Sequence, residues 1–473
     1  MKQVNNKSHA GPTEAHSAQT QFAFQACGSR ALIARFDGGT LTSDAGALLL
    51  REMDRSLGLT KKLASCFTDR RDPRRIEHTV AELVAQRVHA IALGYEDLND
   101  HAALRHDPLL QLCAGKYERP DSAKPPRALA SAPTLNRLEL SSQRKDHYHK
   151  IHPDHAKAAS LLAATSVRAL RKNTREVIID LDATGVPLHG RQEGRFFHGY
   201  YDCHCYLPLY VFIGDLIVWA QLRTADHDAS DGTIEALENI VPLVRRRCPK
   251  ARIIIRADSG FCREAILRHC EANHLHYVLG LARNERLARE LAPALFRARG
   301  LACITKKAAR VYHEFEYQTL ESWSRPRRVI GKAERLENKD NPRYIVTNLE
   351  TEPRALYEKI YCARGEMENR IKEQQLDLFA GRLSCADLLA NQTRMLLSAF
   401  AYMLLERMRA TALKASELAQ ATAGTIRLKL LKLAGRVETS LRRVLVRLAQ
   451  SSPARNLFEH AWRRLRALPT APD

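Results

Sequence analysis

Glu176-Val177-Ile178-Ile179-Asp180-Leu181-Asp182 decides how the rest of this 473-residue chain is read. It is a β-branched run of strand length, and it begins just after Thr174, where the helical spacing of the preceding residues stops. Successive side chains of an extended strand alternate faces, so Asp180 and Asp182 share one side. Either can be the residue the strand presents. Asp182 is favoured because Ala183-Thr184-Gly185 leaves the sheet directly after it.

Working outward, residues 200–213 and 216–224 read as two more strands, with Gly214-Asp215 as the hairpin turn. A helix over 231–248 follows, capped by Ser230 or Asp231. Residues 252–257 form a further buried strand that runs into Asp258, and Ser259-Gly260 then turns the chain. A helix over 262–273 and a strand over 276–281 complete the series. Three strands in a meander, then alternating helix and strand, is the element order of an RNase H-like α/β fold.

Residues 358–378 have helical spacing. Tyr361, Arg364, Glu368 and Lys372 recur at three, four and four, so they line one helix face. Ile360, Ala363, Met367 and Ile371 form a second stripe, offset by one, that faces a core. The plain alternative is a surface helix whose Arg364–Glu368–Lys372 row makes ion pairs along its own face.

These elements divide the chain. Residues 1–29 are expected to be a disordered tail, and 30–170 a mostly helical, DNA-binding region with an exposed linker at 119–133. The catalytic domain is expected in two parts, 171–302 and 353–412, separated by a β-rich insertion at 303–352 whose strands are 311–320, 323–331 and 343–349. Residues 388–409 form a strongly apolar helix that packs on the sheet. A small basic region, 413–473, ends the chain. From Gly424 onward it holds eleven Arg or Lys against three Asp or Glu. There Ile426, Leu428 and Leu430 alternate with polar residues, as do Val444, Val446 and Leu448, so strand and helix compete.

Composition limits the function. The net charge of +21 is an argument for a polyanionic partner, nucleic acid first. Eleven scattered cysteines point to reduced thiols in a cytoplasm. The N-terminus lacks the apolar core of a signal peptide, and the longest apolar run, 395–405, is too short to span a bilayer.

Asp182, Asp258 and Glu368 are then candidate catalytic and metal-ligating residues. Carboxylates are hard oxygen ligands of the kind Mg²⁺ takes beside water and phosphate. Two such ions ~3.5–4 Å apart serve in-line phosphoryl transfer, one activating the attacking oxygen and one stabilising the leaving oxygen. Asp182 is assigned as the bridging ligand, Asp258 to one ion and Glu368 to the other.

The blocks Asp182-Ala183-Thr184, Arg256-Ala257-Asp258-Ser259-Gly260-Phe261 and Tyr361-x-x-Arg364-x-x-x-Glu368 together resemble the three blocks of a DDE transposase of bacterial insertion sequences. Phe36-Asp37-Gly38-Gly39-x-Leu41-Thr42-Ser43-Asp44-x-Gly46, the run from His198 to Tyr206-Leu207-Pro208-Leu209, and Glu366-Met367-Glu368-Asn369-Arg370-Ile371-Lys372 resemble insertion-sequence family 1380. The resemblance extends from about Arg35 to Pro453. It implies a Mg²⁺-dependent enzyme, with Mn²⁺ able to substitute, that binds double-stranded DNA at terminal inverted repeats. Water cuts the element end, and the freed 3′-hydroxyl attacks target DNA. Tyr361 and Arg364 match the positions that hold the terminal phosphate. The related signature has lysine where this chain has Gln375, and Lys372 is the candidate replacement. Joining two ends implies a homodimer on DNA, and the resemblance implies a bacterial cytoplasm, at the nucleoid.

Other constellations are weaker. His198, Cys203, His204 and Cys205 lack the spacing of paired zinc ligands. A tyrosine nucleophile at Tyr361 leaves the aspartates unexplained, and no Walker A element is present. Trp323, Tyr312 and Tyr317 either stack on an unpaired base or pack the insertion's own core. A metal-dependent nuclease that cuts without joining, and a DNA-binding relative without catalysis, stay open as alternatives.

Overall fold

Val177, Ile179 and Leu181 of strand β1 (Glu176–Ala183) point into one hydrophobic core, while Ile178 packs on a second core across the sheet. That alternation builds an eight-stranded sheet around β1. The other strands are β2 (Leu209–Ile213), β3 (Leu216–Gln221), β4 (Arg252–Ala257), β5 (His276–Leu281), β6 (Ala309–Tyr317), β7 (Arg327–Arg335) and β8 (Arg343–Thr347). Their order is β3-β2-β1-β4-β5-β8-β7-β6. β1, β4 and β5 are parallel, and every other pairing is antiparallel. The computed structural model describes residues 21–117, 127–140, 149–337, 339–440 and 442–469.

One face of the sheet is covered by the helices His155–Arg168, Thr233–Arg247, Glu264–Ala272 and Glu285–Thr305. The opposite face is shared. Tyr210, Phe212, Ile217 and Ala220 of β2 and β3 pack in one core with the helix Leu388–Thr411. This helix is buried nearly all round, as its apolar sequence requires. The N-terminal helices Ala47–Leu57 and Val80–Leu93 enclose it, the latter started by a Thr79/Glu82 capping box. Over β4, β5 and β8 the same face is covered by Leu356 and Tyr357.

Several expectations are corrected. The strand expected over 200–213 is two, Cys203–Tyr206 and Leu209–Ile213, because Pro208 cannot donate to a ladder. The helix after β3 starts at Thr233 behind Gly232, with no side-chain cap from Ser230 or Asp231. Residues 22–27 and 30–34 form a hairpin where a tail was expected. Residues 1–20 of that tail, and 119–126 of the expected linker, lie outside the described residues. The rest of the linker region includes the helix Ala132–Glu139. The strands of the expected insertion, β6, β7 and β8, are present, and they extend the main sheet beyond β5.

The chain ends share structure. Leu41–Thr42 pairs with Gly435–Thr439, which pairs with Val444–Leu448. Leu457, Ala461 and Leu465 of the helix Arg455–Arg466 lie in the same core as the N-terminal helices. Among the described residues no helix is long and apolar enough to cross a membrane.

The expected continuous helix at 358–378 is interrupted. Leu356–Tyr361 is a π-helical turn, Cys362–Arg364 a tight 3₁₀ turn, and only Gly365–Asp377 is α-helical. The buried apolar residues are Leu356 and Tyr357 in the π-helical turn, then Met367 and Ile371 in the α-helix, so the stripe shifts across the break. Of the expected stripe, Ile360 and Ala363 are only half-buried. Such wide turns re-aim the side chains that follow them.

Candidate active site

Three elements bring their carboxylates to one cavity of about 550 Å³. Its walls include Asp182 from the end of β1, Asp258 after β4, and Glu368 from the helix Gly365–Asp377. Each position has a local cause. β1 and β4 are adjacent and parallel, so their C-terminal ends lie side by side. Asp258 accepts the Gly260 N–H at 2.8 Å, which fixes the turn leaving β4. Glu368 lies one residue after the buried Met367.

Arg364 connects two of the three. Its guanidinium lies 3.4 Å from Asp182 Oδ1 and donates to Glu368 Oε1 at 2.9 Å. Burial pushes the Asp182 carboxyl up to about 7; Arg364 pulls it back, and the charges of Asp258 and Glu368 add to the rise. Burial pulls the Arg364 guanidinium down, but the carboxylates of Asp182, Asp258 and Glu368 outweigh it and hold the group above its usual value. The cavity thus gathers three carboxylates around the Arg364 guanidinium. Lys372 and Gln375 lie on its wall as well.

Asp180 is placed differently. Its side chain receives Arg256 Nε and Nη2 at 2.5 and 2.7 Å, both partners buried, and it is not on the cavity wall. Arg256 also donates to the Ile360 carbonyl at 2.5 Å, tying the π-helical turn to β4. Tyr361 stands behind Asp258. Its hydroxyl fits against Gly280 of β5, where a Cβ would come within 2.7 Å of that oxygen and 2.8 Å of the Ser259 nitrogen.

The aromatic residues expected in the insertion face inward. Trp323 and Tyr317 pack edge to face at 5.8 Å and are buried, and the Tyr312 hydroxyl donates to Glu358 at 3.0 Å. They pack the core. Sequence reasoning missed Tyr200 and Tyr201, which line the carboxylate cavity with His198, a residue it weighed as a zinc ligand, and Gly280, which gives Tyr361 room. The signal was the density of aromatic residues in Phe196-Phe197-His198-Gly199-Tyr200-Tyr201.

No group of three or more His, Cys, Asp or Glu side chains among the described residues is gathered tightly enough to hold a metal ion as it stands. At Asp182 and Glu368 the countercharge is Arg364. By kind, the set suits a divalent ion: hard oxygen donors, excess negative charge and a burial-strained carboxyl that a cation would relieve.

Comparison with known families matches residues 24–470 to the family model described as Transposase DDE domain group 1. Comparison with curated proteins gives no match.

Proposed function

This chain belongs to the family Transposase DDE domain group 1, and from that premise we propose that it is the DNA transposase of a bacterial insertion sequence of family 1380. It binds double-stranded DNA at the element's terminal inverted repeats, cuts there and joins the 3′ ends to target DNA. The fold proposed is RNase H-like. The first five sheet strands support it, running 3-2-1-4-5 across the sheet with the second antiparallel to its neighbours. The division proposed is a catalytic core at 171–302 and 353–412 with 303–352 inserted, a DNA-binding region at 30–170 and a basic region at 413–473.

The observation that carries the reading is the single cavity lined by Asp182, Asp258 and Glu368, residues far apart in sequence. Asp182, Asp258 and Glu368 would be the residues that hold the Mg²⁺ ions. Bound there, the ions supply an activated attacking oxygen and charge neutralisation at the leaving oxygen. The chain's own groups do the rest. Arg364, released from Asp182, holds the terminal phosphate, with Tyr361 behind Asp258 and Lys372 on the wall giving direction and charge. Two ends joined at once call for a homodimer on DNA, and the setting proposed is the bacterial cytoplasm at the nucleoid.

The test is separate Asp182→Asn, Asp258→Asn and Glu368→Gln variants, assayed with the element's end DNA and Mg²⁺. Each should lose strand joining below detection while binding the DNA as the parent does. Joined product from any one of them would remove that residue from the site. A parent protein that nicks without ever joining would make it a nuclease.

A further inference from the structure

Four large aromatic side chains within one six-residue stretch stand in solvent: Phe196 at 42 %, Phe197 at 56 %, Tyr200 at 85 % and Tyr201 at 37 % exposure. The stretch is the first arm of a hairpin, Phe196–His198 paired with Cys203–Tyr206. The Tyr201 N–H donates to the His198 carbonyl at 3.2 Å, and Asp202 takes a left-handed φ of 51° to bring the chain back. That turn puts Tyr200 at the tip. Its ring meets Tyr201 edge to face at 5.0 Å, and Tyr201 lies 5.0 Å from the His198 ring.

The tip is fastened to the catalytic strand. The Tyr201 hydroxyl donates to the Ala183 carbonyl at 3.4 Å, next to Asp182, and its ring covers Gly185, where a Cβ would come within 2.9 Å of it. His198, Tyr200 and Tyr201 line the same cavity as Asp182, Asp258 and Glu368. His198 Nδ1 is buried without a hydrogen-bond partner among the described residues.

Exposed rings need a partner with an apolar face. The partner's other end must reach the carboxylate cavity, since the rings and the carboxylates share its wall. A nucleotide has both ends: a phosphate, and a base with two π faces. Inside a paired duplex both faces are covered by neighbouring bases, and a blunt end offers only the outer face of its last pair. A ring therefore reaches both a free base and its strand's phosphate where the base is unpaired. We propose that Tyr200, backed by Tyr201 and His198, stacks on an unpaired base next to the phosphate that Arg364 holds in the cavity of Asp182, Asp258 and Glu368. This rests on the reading given under Proposed function. It assigns the active site a preference for DNA whose strands are locally open at the reacting end.

The probes are a fluorescent duplex of random sequence with a short single-stranded tail and the same duplex made blunt, titrated in EDTA so that nothing is cut. The parent protein should bind the tailed duplex more tightly. Tyr200→Ala should weaken tailed binding about tenfold and leave blunt binding unchanged, whereas Tyr200→Phe should keep the preference. Tyr200 is too exposed for the change to unfold the chain, and a matching thermal melt checks this. Equal loss on both probes would make the tip a general DNA grip. No loss on either, or dissociation of a dimer with the tailed-to-blunt ratio unchanged, would give the tip to scaffold or to a second copy. Each of these results overturns the proposal. The readout needs neither metal nor cleavage. If joining survives the carboxylate substitutions while Tyr200→Ala still abolishes the tail preference, the catalytic reading fails and the stacking site stands.

Discussion

Asp180 and Asp182 sit two residues apart on one strand and face the same side, yet their arginines treat them differently. Arg256 grips Asp180 with two short bonds in a buried pair and spends its third contact on the Ile360 carbonyl. Arg364 divides itself between Asp182 and Glu368, at 3.4 and 2.9 Å, on the wall of an open cavity. The first pair is closed on every side and serves the fold. The second is loose and can be exchanged for another cation or for a phosphate. Sequence spacing gives both aspartates the same orientation. Only the neighbours that reach them separate a carboxylate closed in a buried pair from one open to a cavity.

The largest effect expected from breaking this contrast is at Asp180. Asp180→Ala leaves Arg256 charged and buried with one hydrogen bond, which should cost about 3–5 kcal/mol of stability in a denaturant titration. Asp180→Asn keeps an acceptor and should cost less. If Asp180→Ala unfolded at the parent's denaturant midpoint but lost strand joining, the roles of the two aspartates would be exchanged.

Asp182 should behave in the opposite sense. Its carboxyl, raised by burial from 3.8 to about 7, binds its proton more tightly in the native protein than in the unfolded chain. Below about pH 4 both forms are protonated and the group costs nothing. Between about pH 4 and 7 the unfolded chain releases the proton and the native one does not, so native stability falls as pH rises; above about 7 the full cost stands. Asp182→Asn removes that slope. In EDTA at pH 8 the variant should be more stable than the parent by ~2–4 kcal/mol, and equal to it near pH 4. Mg²⁺ should narrow the gap at pH 8 by stabilising the parent alone. A parent whose stability has the same pH slope as the variant's would mean that the carboxyl titrates as an ordinary surface acid, and the asymmetry would vanish.

The contrast also marks how far sequence carries. The strands ending at Asp182 and Asp258 were legible because their apolar runs are short, β-branched and followed by turn residues. Glu368 was legible as a helix residue, but the π-helical and 3₁₀ turns before it were not. Residues 353–377 keep helical spacing throughout, and the change of turn comes from contacts outside the segment: Leu356 and Tyr357 seated on the sheet and Arg256 holding the Ile360 carbonyl. In the C-terminal region, Ile426, Leu428 and Leu430 alternate like a strand but fold helically, burying Ile426 and Leu430 one turn apart and leaving Leu428 exposed. Val444–Leu448, with the same alternation, does form a strand because Gly435–Thr439 is there to pair with it. The aromatic residues failed for a related reason. A ring's identity does not say whether other elements will cover it: Tyr317 and Trp323 are covered while Tyr200 is not.

The smallest effect on stability is expected at Gly280, and it bears on the looser site alone. This residue leaves just enough room on β5 for the Tyr361 hydroxyl and the backbone at Asp258 and Ser259. An added methyl meets backbone atoms at 2.8 to 3.0 Å, and these cannot swing aside as a side-chain tip can. Gly280→Ala must therefore shift the Asp258 turn, Tyr361, or both, at a cost of about 1–3 kcal/mol. Because the atoms nearest an added Cβ belong to Tyr361, Ser259 and Asp258 and not to Asp180 or Arg256, the buried pair should hold the fold together while the cavity's carboxylates lose their spacing. The variant should melt cooperatively, bind end DNA and join it poorly. Raising the Mg²⁺ concentration should recover part of the activity if the fault is a misplaced ligand. Recovery from the double change Gly280→Ala with Tyr361→Phe would instead put the fault at the tyrosine hydroxyl. Unimpaired joining by Gly280→Ala would show that the turn after β4 has slack, and that Asp258 is held no more rigidly than Arg364.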